Sequence, residues 1–251
     1  MTHEKQTLWV VIPFYNEAKV VGLTIQALAA QTDKDFMTLF VDNASTDGGA
    51  QKVHQICAAK GVRFEVINEP RKGTGYAADT GFRYATSHGA TYIARTDADC
   101  SPAPNWVEKV RAGFEGGLEF MGGRLRPRAD SIRPTLLDHI MLPTMVTIGV
   151  LYGKLFYRGK QFRYPFFMAA GGNMAITSKL YEQTGGFKHA SIADTNEDTE
   201  LAEKVRTLTS RAKYRRDMVV YTSIRRVRKY GYIKTLRWFS DRNYKGEVDV
   251  R

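Results

Sequence analysis

Leu8-Trp9-Val10-Val11-Ile12-Pro13 (residues 8–13) is an uninterrupted apolar run that a proline closes near the start of the chain. An apolar run of this kind is typical of a strand that is buried on both faces, as the strands of parallel sheets are. A helical pattern follows from Ala18 to Ala30, with apolar side chains spaced three or four residues apart. This pair predicts a strand inside a parallel sheet and a helix packed on it.

The same alternation continues to about residue 99. Apolar runs at Met37–Val41, Val62–Ile67 and Ala90–Thr96 alternate with helical patterns at Gly49–Lys60 and Tyr76–His88. Strand–helix units of about 30 residues predict a doubly wound sheet with right-handed crossovers. We therefore expect an α/β fold: a Rossmann-like, mostly parallel sheet flanked by helices, in a single domain with a basic C-terminal extension.

Polar side chains follow three of these apolar runs at the point where each run ends. They are Pro13-Phe14-Tyr15-Asn16-Glu17, then Asp42, then Asp97-Ala98-Asp99. Ligands of doubly wound sheets bind at the carboxyl ends of the strands, so we expect the three groups to share one crevice. Two carboxylates one residue apart suit Mg²⁺ or Mn²⁺ together with a diphosphate. An Asp-x-Asp pair is also consistent with a solvated turn.

Length, cysteine count and the distribution of apolar residues argue against disulfide-rich, zinc-binding, secreted and membrane-spanning proteins. The 251 residues suffice for one α/β domain, and the two cysteines, Cys57 and Cys100, provide neither a disulfide framework nor zinc spacing. Because no basic region with a long apolar core precedes the first strand, we expect no signal peptide and a cytoplasmic protein. The uncharged stretch Ile140–Gly153 is shorter than the about 20 apolar residues that span a bilayer, so we expect a buried or interfacial helix there.

The formal net charge of +11 is concentrated towards the C-terminus. Between Lys204 and Lys245, 14 lysines and arginines accompany two acidic residues. Such a block attracts anionic lipid, nucleic acid or an acidic substrate, with a solvated basic face as the alternative. Because aromatic residues are interleaved and no nucleic-acid motif is present, we expect peripheral association with the inner face of the cell membrane and no nucleic-acid binding. The interleaved aromatic residues are Tyr230, Tyr232, Trp238 and Phe239.

An ordered series of motifs extends this pattern. Lys72-Gly73 lies between the polar strand ends, and Gly171-Gly172-Asn173-Met174-Ala175, Gly185-Gly186-Phe187 and Glu197-Asp198 follow them. Over about residues 8 to 205 the series resembles the inverting family 2 glycosyltransferases with the GT-A fold. We accordingly place a glycosyltransferase domain at 1–223, with a nucleotide-binding half at about 1–123 and an acceptor half at about 124–223. A basic aromatic segment at 224–251 follows.

The resemblance implies a role for each matching residue. Nucleotide-binding residues would be Pro13, Tyr15, Glu17, Asp42, Lys72 and Asp97. Sugar- or acceptor-binding residues would be Gly171, Gly172, Asn173 and Glu197. Asp99 would bind the metal, and Asp198 would be the catalytic base. Plain alternatives are a packing role for Tyr15, turn capping for Asp42, a surface role for Lys72 and a helix-start role for Asp198.

The resemblance also implies the activity, namely metal-dependent, inverting transfer of a sugar from a UDP- or GDP-sugar to a hydroxyl acceptor of a glycan, polysaccharide or glycolipid. The cofactor would be Mn²⁺ or Mg²⁺. The donor base stays open, since one carboxylate such as Asp42 can pair with uracil or guanine. Lys234 stands where sugar-polymerising members carry the glutamine of Gln-x-x-Arg-Trp, so processive polymerisation is not expected.

Three other functions are alternatives. A polyprenyl-phosphate glycosyltransferase would use an acceptor oxygen that is already anionic. A nucleotidyltransferase usually has a glycine- and arginine-rich loop after the first strand, where this chain has Pro13-Phe14-Tyr15-Asn16-Glu17. A non-catalytic membrane-binding module would rest on the basic block alone.

Overall fold

The computed structural model describes residues 7–129, 133–156, 158–189 and 197–240. Within these ranges one eight-stranded sheet, in the order β3-β2-β1-β4-β7-β6-β8-β5, is flanked by helices. The strands are β1 (Leu8–Phe14), β2 (Phe36–Asp42), β3 (Phe64–Asn68), β4 (Tyr92–Arg95), β5 (Cys100–Pro102), β6 (Phe120–Pro127), β7 (Met174–Thr177) and β8 (Ala212–Thr222). The helices are α1 (Val21–Ala29), α2 (Gly49–Lys60), α3 (Thr74–Ser87), α4 (Trp106–Glu115), α5 (Leu136–Phe156), α6 (Ser178–Thr184), α7 (Glu197–Leu208) and α8 (Arg225–Ser240).

The first half of the chain forms the predicted parallel sheet. Strand β1 pairs in parallel with β2 on one side and with β4 on the other, and β3 extends the sheet beyond β2. Every residue of β1 is buried because the strand lies in the middle of the layers. Helix α3 packs closely on it, since a Cβ atom at Gly81 would lie 2.5 Å from Val11. The α/β prediction is confirmed.

The second half adds strands of mixed direction. Strand β7 runs antiparallel to both β4 and β6, whereas β8 pairs in parallel with β6 and antiparallel with β5. The pairing of β7 with β4 sets Met174 opposite Arg95, so the turn before β7 lies beside the end of β4. The boundary predicted at about residue 123 falls inside β6, and the sheet continues across it.

Helix α5 differs from its prediction in length and in burial. It covers 21 residues with Pro143 inside, because His139 and Lys154, which flank the predicted stretch, both belong to the helix. By length and composition it is apolar enough to cross a membrane, which corrects the statement that the stretch is too short. Only 19% of its most apolar window is buried, so a buried helix is also excluded. Its exposed apolar side chains include Leu136, Leu137, Ile140, Ile148, Leu151 and Leu155.

Helix α8 opens the predicted C-terminal segment and packs against α5. Its Arg228 guanidinium and the Tyr232 hydroxyl both donate to Asp138, a fully buried carboxylate in the first turn of α5. The helix is interrupted at Gly231, which has φ 75° and ψ 169°. The side chains of residues 236–240, and all of residues 241–251, lie outside the described part of the chain, and so do the predicted membrane-binding side chains of Trp238 and Phe239.

Candidate active site

Two loops at the ends of β1 and β2 form the first wall of the crevice. Asn16 and Ala44 have backbone φ angles of 52° and 60°, which residues other than glycine rarely adopt. The Asn16 backbone N–H donates to Ser45 Oγ at 3.0 Å, and its side-chain oxygen accepts from the Thr46 N–H at 2.8 Å. Unfavourable backbone conformations held by neighbouring contacts are concentrated at functional sites.

Asp42, Tyr15 and Lys72 lie along this wall. Asp42 ends β2 opposite Phe14, and its Oδ1 accepts from the Ser45 N–H at 2.9 Å, so it does cap its turn. Lys72 Nζ lies 3.2 Å from the Tyr15 hydroxyl and 5.1 Å from the centre of its ring. The structure therefore brings Tyr15 and Lys72 together, while Pro13 is buried in β1 with its neighbours.

Asp97 and Asp99 follow β4 at the centre of the crevice. Ligand atoms of Asp97, Asp99 and Cys100 all lie within 4.8 Å of one another. Both carboxylates are partly exposed, whereas Cys100 is buried and its thiol pKa is raised well above the ordinary value, mainly by desolvation. A neutral thiol is a poor ligand, so the fitting donor set is the two carboxylates, which suit a hard divalent cation.

Arg95, at the end of β4, links Asp97 to the start of α7, where the predicted base Asp198 lies. Its side chain is 2% exposed, and its Nη2 lies 3.3 Å from Asp97 Oδ1 and 3.4 Å from Glu197 Oε1. Desolvation raises the pKa values of Asp97 and Glu197, the latter to about 7, although the Arg95 charge opposes both shifts. Sequence reasoning missed Arg95. The available signal was a charged residue inside an otherwise apolar strand.

Asp198 joins the same group through a glycine turn. Its Oδ2 accepts from the Gly171 N–H at 3.0 Å, and its Oδ1 accepts from the Thr199 N–H at 2.7 Å. A Cβ atom at Gly171 would lie 2.6 Å from the Arg95 guanidinium carbon, and one at Gly172 would lie 3.2 Å from Asp97 Oδ2. The two glycines thus let the backbone pass between Asp198, Arg95 and Asp97, which brings the predicted base near the predicted metal motif.

The Asn173 side chain points away from this crevice, contrary to its predicted place in the sugar site. It is fully buried, its oxygen accepts from Trp106 Nε1 at 2.9 Å, and its amide donates to the carbonyls of Arg124 at 3.1 Å and Met218 at 2.9 Å. These bonds fix the glycine turn to α4, β6 and β8. Any sugar contact at position 173 is therefore limited to the backbone.

Arg225, the first residue of α8, lies at the outer edge of the crevice. Its Nη2 is 3.0 Å from both carboxylate oxygens of Glu17 and 3.2 Å from Asp99 Oδ2. Among the described residues, the predicted nucleotide residue Glu17 and the predicted metal residue Asp99 thus share one guanidinium. The sequence analysis did not predict this pairing.

Asp79 of α3 holds the Gly185-Gly186-Phe187 motif in place. The sequence analysis did not predict this role. Asp79 accepts from the Phe187 N–H at 3.1 Å and also from Tyr181, Arg83 and His189. The Phe187 ring in turn lies 5.7 Å from the Arg95 guanidinium. This motif therefore supports the back of the crevice.

The chain is similar in sequence to curated glycosyltransferases. The glycosyltransferase AglE of Haloferax volcanii is 32% identical over 128 residues, covering 50% of this chain and 41% of that protein. The chain spans less than half the length of the curated relatives it matches first.

Two solved structures show the same fold at low sequence identity. S. aureus TarS 1–349 in complex with UDP-GlcNAc superposes with a TM-score of 0.65 at 16% identity, over 87% of this chain and 58% of that one. The mannosyltransferase PcManGT from Pyrobaculum calidifontis, in complex with GDP-Man and Mn²⁺, superposes with a TM-score of 0.63 at 19% identity, over 98% of this chain and 67% of that one. These likenesses confirm the predicted GT-A fold.

The family model named Glycosyl transferase family 2 matches residues 9–185. This match contains the polar strand ends, the Asp pair and the glycine turn, whereas Asp198 and Arg225 lie beyond its end at residue 185. The predicted resemblance and the glycosyltransferase class are therefore confirmed: this chain belongs to glycosyl transferase family 2.

Proposed function

We propose that the chain transfers a sugar, with inversion, from a UDP- or GDP-sugar to a hydroxyl acceptor. The observation that carries this proposal is the glycine turn, where the Gly171 N–H bonds Asp198 and Gly172 closely approaches Asp97. The proposed proton-accepting carboxylate and the first carboxylate of the Asp97–Asp99 pair are thus held on either side of one short segment. An in-line displacement needs this arrangement, because the acceptor is deprotonated on one side and the diphosphate departs on the other.

Asp198 is the proposed general base. It takes the proton of the acceptor hydroxyl while the acceptor oxygen bonds to the anomeric carbon and the bond from that carbon to the diphosphate breaks. The backbone N–H groups of Gly171 and Thr199 hold both of its oxygens in place. Orientation by fixed donors keeps the base close to one geometry before the acceptor arrives.

Asp99, assisted by Asp97, is the proposed ligand of Mn²⁺ or Mg²⁺. When bound, the cation supplies a Lewis acid for the charge that develops on the leaving diphosphate. Arg95 holds Asp97 in position from the protein side. Tyr15, Lys72, Asp42 and Glu17 form the proposed wall for the nucleotide, and relatives that bind UDP-GlcNAc and GDP-Man support both candidate bases.

A calorimetric titration with UDP and with GDP, each with and without Mn²⁺, tests the donor half of this proposal. We expect metal-dependent binding of one nucleotide, lost in Asp99→Ala and retained in the control Asp217→Ala, which removes an exposed carboxylate of β8. If neither nucleotide binds under any metal condition, the proposed donor is wrong.

The acceptor is tested by Asp198→Asn. With a hydroxyl acceptor we expect turnover to fall by about 10²–10⁴-fold, because the variant cannot accept the proton, while nucleotide affinity stays unchanged. A mild effect would instead favour the alternative of a polyprenyl-phosphate acceptor, whose oxygen is already anionic. The exposed apolar side chains of α5 are the observation that favours this second candidate. A nucleotidyltransferase is less favoured, since the Pro13–Glu17 loop has no glycine.

We also propose peripheral binding to the cytoplasmic face of an anionic membrane, through the exposed apolar side chains of α5 and the basic segment 224–251. An apolar helix beside a cationic segment combines burial with attraction to anionic lipid. Flotation with anionic and neutral liposomes tests this, and we expect recovery with anionic vesicles only. Equal recovery with both, or none with either, would contradict it.

A further inference from the structure

The junction between β8 and α8 is built against the metal motif. Strand β5, which starts at Cys100, pairs antiparallel with the end of β8, and the Ser223 N–H donates to the Asp99 carbonyl at 3.2 Å. Ser223 Oγ then accepts from the Arg225 backbone N–H at 3.3 Å and from its Nε at 3.2 Å. Position 225 is therefore fixed beside Asp99 by the backbone.

The Arg225 guanidinium already neutralises the carboxylate that the proposed function assigns to the metal. One nitrogen, Nη2, contacts Asp99 Oδ2 and both oxygens of Glu17. Charge-assisted hydrogen bonds of this kind are the strong ones. A divalent cation on Asp99 would have to share that oxygen with a second positive charge, which opposes its binding.

Arg225 is placed so that it can leave these partners. Its side chain is 20% exposed, against 2% for Arg95, which lies wholly inside the protein. A nucleoside diphosphate entering the crevice brings anionic oxygens that can replace both carboxylates as partners of the guanidinium, since arginine forks match phosphate geometry. Loss of the arginine from Asp99 would then open that oxygen to the cation.

We infer that Arg225 gates the cation at Asp99: without donor it competes with the divalent ion, and a bound diphosphate draws it away. The cation and the nucleoside diphosphate therefore bind synergistically, each raising the affinity for the other by the same factor, as linkage requires. This inference rests on the proposed function, because it assumes that Asp99 binds the metal and that the crevice binds the diphosphate.

Titration of the whole chain with Mn²⁺, followed by the electron paramagnetic resonance signal of free Mn²⁺, tests the gate without measuring turnover. It compares wild type with Arg225→Gln, each alone and then with saturating UDP or GDP. For Mn²⁺ alone we expect Arg225→Gln to bind at least about five-fold more tightly than wild type. We also expect the factor by which the nucleotide tightens Mn²⁺ binding to shrink in the variant.

Two further variants separate the possible failures. Lys229→Gln removes the same charge from an exposed position on α8 and should leave Mn²⁺ affinity unchanged, so an equal gain there would overturn the gate in favour of a general charge effect. If Asp99→Asn abolishes Mn²⁺ binding but Arg225→Gln leaves it unchanged or weaker, the gate alone is wrong. If wild type binds no Mn²⁺ with or without nucleotide, both the gate and the proposed metal site are wrong.

Discussion

Two arginines in this molecule each bridge two carboxylates, but in very different surroundings. Arg95 joins Asp97 to Glu197 in the interior, whereas Arg225 joins Glu17 to Asp99 at the edge of the crevice. The inner arginine has no access to solvent through which it could change partners. The outer one is partly exposed and lies beside Asp99, the proposed metal ligand.

The difference shows that one kind of ion pair can serve two purposes. Breaking a buried pair leaves an uncompensated charge in a low-dielectric interior, so the inner bridge fixes geometry. The outer pair is partly exposed, so the water that reaches it competes for both charges and lowers its contribution to stability. The outer bridge can therefore exchange partners at low cost, and the following predictions test this division, from the largest effect to the smallest.

The largest effect is expected from Arg95→Met. Removing the buried cation leaves Asp97 and Glu197 without their shared partner, so the free energy of unfolding should fall by about 3–5 kcal/mol. Urea denaturation followed by fluorescence measures it. A loss no greater than that of Arg225→Met would contradict the distinction between the two bridges.

The second prediction uses the raised pKa of Glu197. Because burial raises this pKa from 4.5 to about 7, the folded protein holds the proton more strongly than the unfolded chain does. The contribution of Glu197 to stability is thus full below about pH 4.5 and is lost as the pH rises to about 7.

Over that interval wild type should lose up to about 3 kcal/mol relative to Glu197→Gln, which carries no titrating group. Denaturation midpoints of both proteins between the two pH values measure the difference. Parallel pH profiles for wild type and variant would show that Arg95 keeps Glu197 ionised throughout.

A third, smaller effect concerns the support beneath the glycine turn. Trp106→Phe removes the indole N–H that Asn173 accepts, so a buried amide oxygen loses its donor, at a cost of about 1–3 kcal/mol. Trp9→Phe in β1 makes the same change in volume and serves as the control. If both variants lose equal stability, the bond to Asn173 contributes nothing beyond packing.

The smallest change in stability is expected for Arg225→Met. Its unfolding free energy should fall by less than in Arg95→Met and in Trp106→Phe, since the side chains of Arg225, Glu17 and Asp99 are 20%, 12% and 29% exposed and water reaches them in part. Thermal denaturation at low and at high salt measures this. A large loss would make the outer bridge a structural element like the inner one and would weaken the case for a gate.

The sequence predicts the first half of the fold well because its signals are local. Apolar runs such as Leu8–Pro13 identify buried strands, and a parallel sheet brings their polar ends together whatever the details of packing. Asp97, Asp99 and Asp198 are predicted as matches to an ordered series of motifs. The bounds of the helices and strands in this half differ from the predicted ones by a few residues only. Helix α1, for example, begins at Val21 rather than Ala18.

The missed residues depend on contacts between distant parts of the chain. Arg95 meets Glu197 across 102 positions, and Arg225 meets Glu17 across 208. No local period reports such contacts. Asn173 shows the converse limit, because the motif marks its position correctly while the direction of its side chain follows from packing against Trp106.

The length of helix α5 was predicted wrongly for a different reason. The predicted stretch began at Ile140, after Asp138, but Asp138 is buried with Arg228 and Tyr232 as partners and so belongs inside the helix. A charge ends an apolar segment only where it remains in water, and its partners here lie about ninety residues further along the chain.

The two buried cysteines give the molecule a built-in chemical reporter. Burial raises the thiol pKa of both, to about 12 for Cys57, so neither reacts readily as a thiolate with an alkylating reagent while the fold is closed. Cys100 follows Asp99 directly, whereas Cys57 lies in α2. The rate of Cys100 alkylation relative to that of Cys57 therefore measures how often the segment around Asp99 opens. A ligand that binds at Asp99 should slow the alkylation of Cys100 without changing that of Cys57.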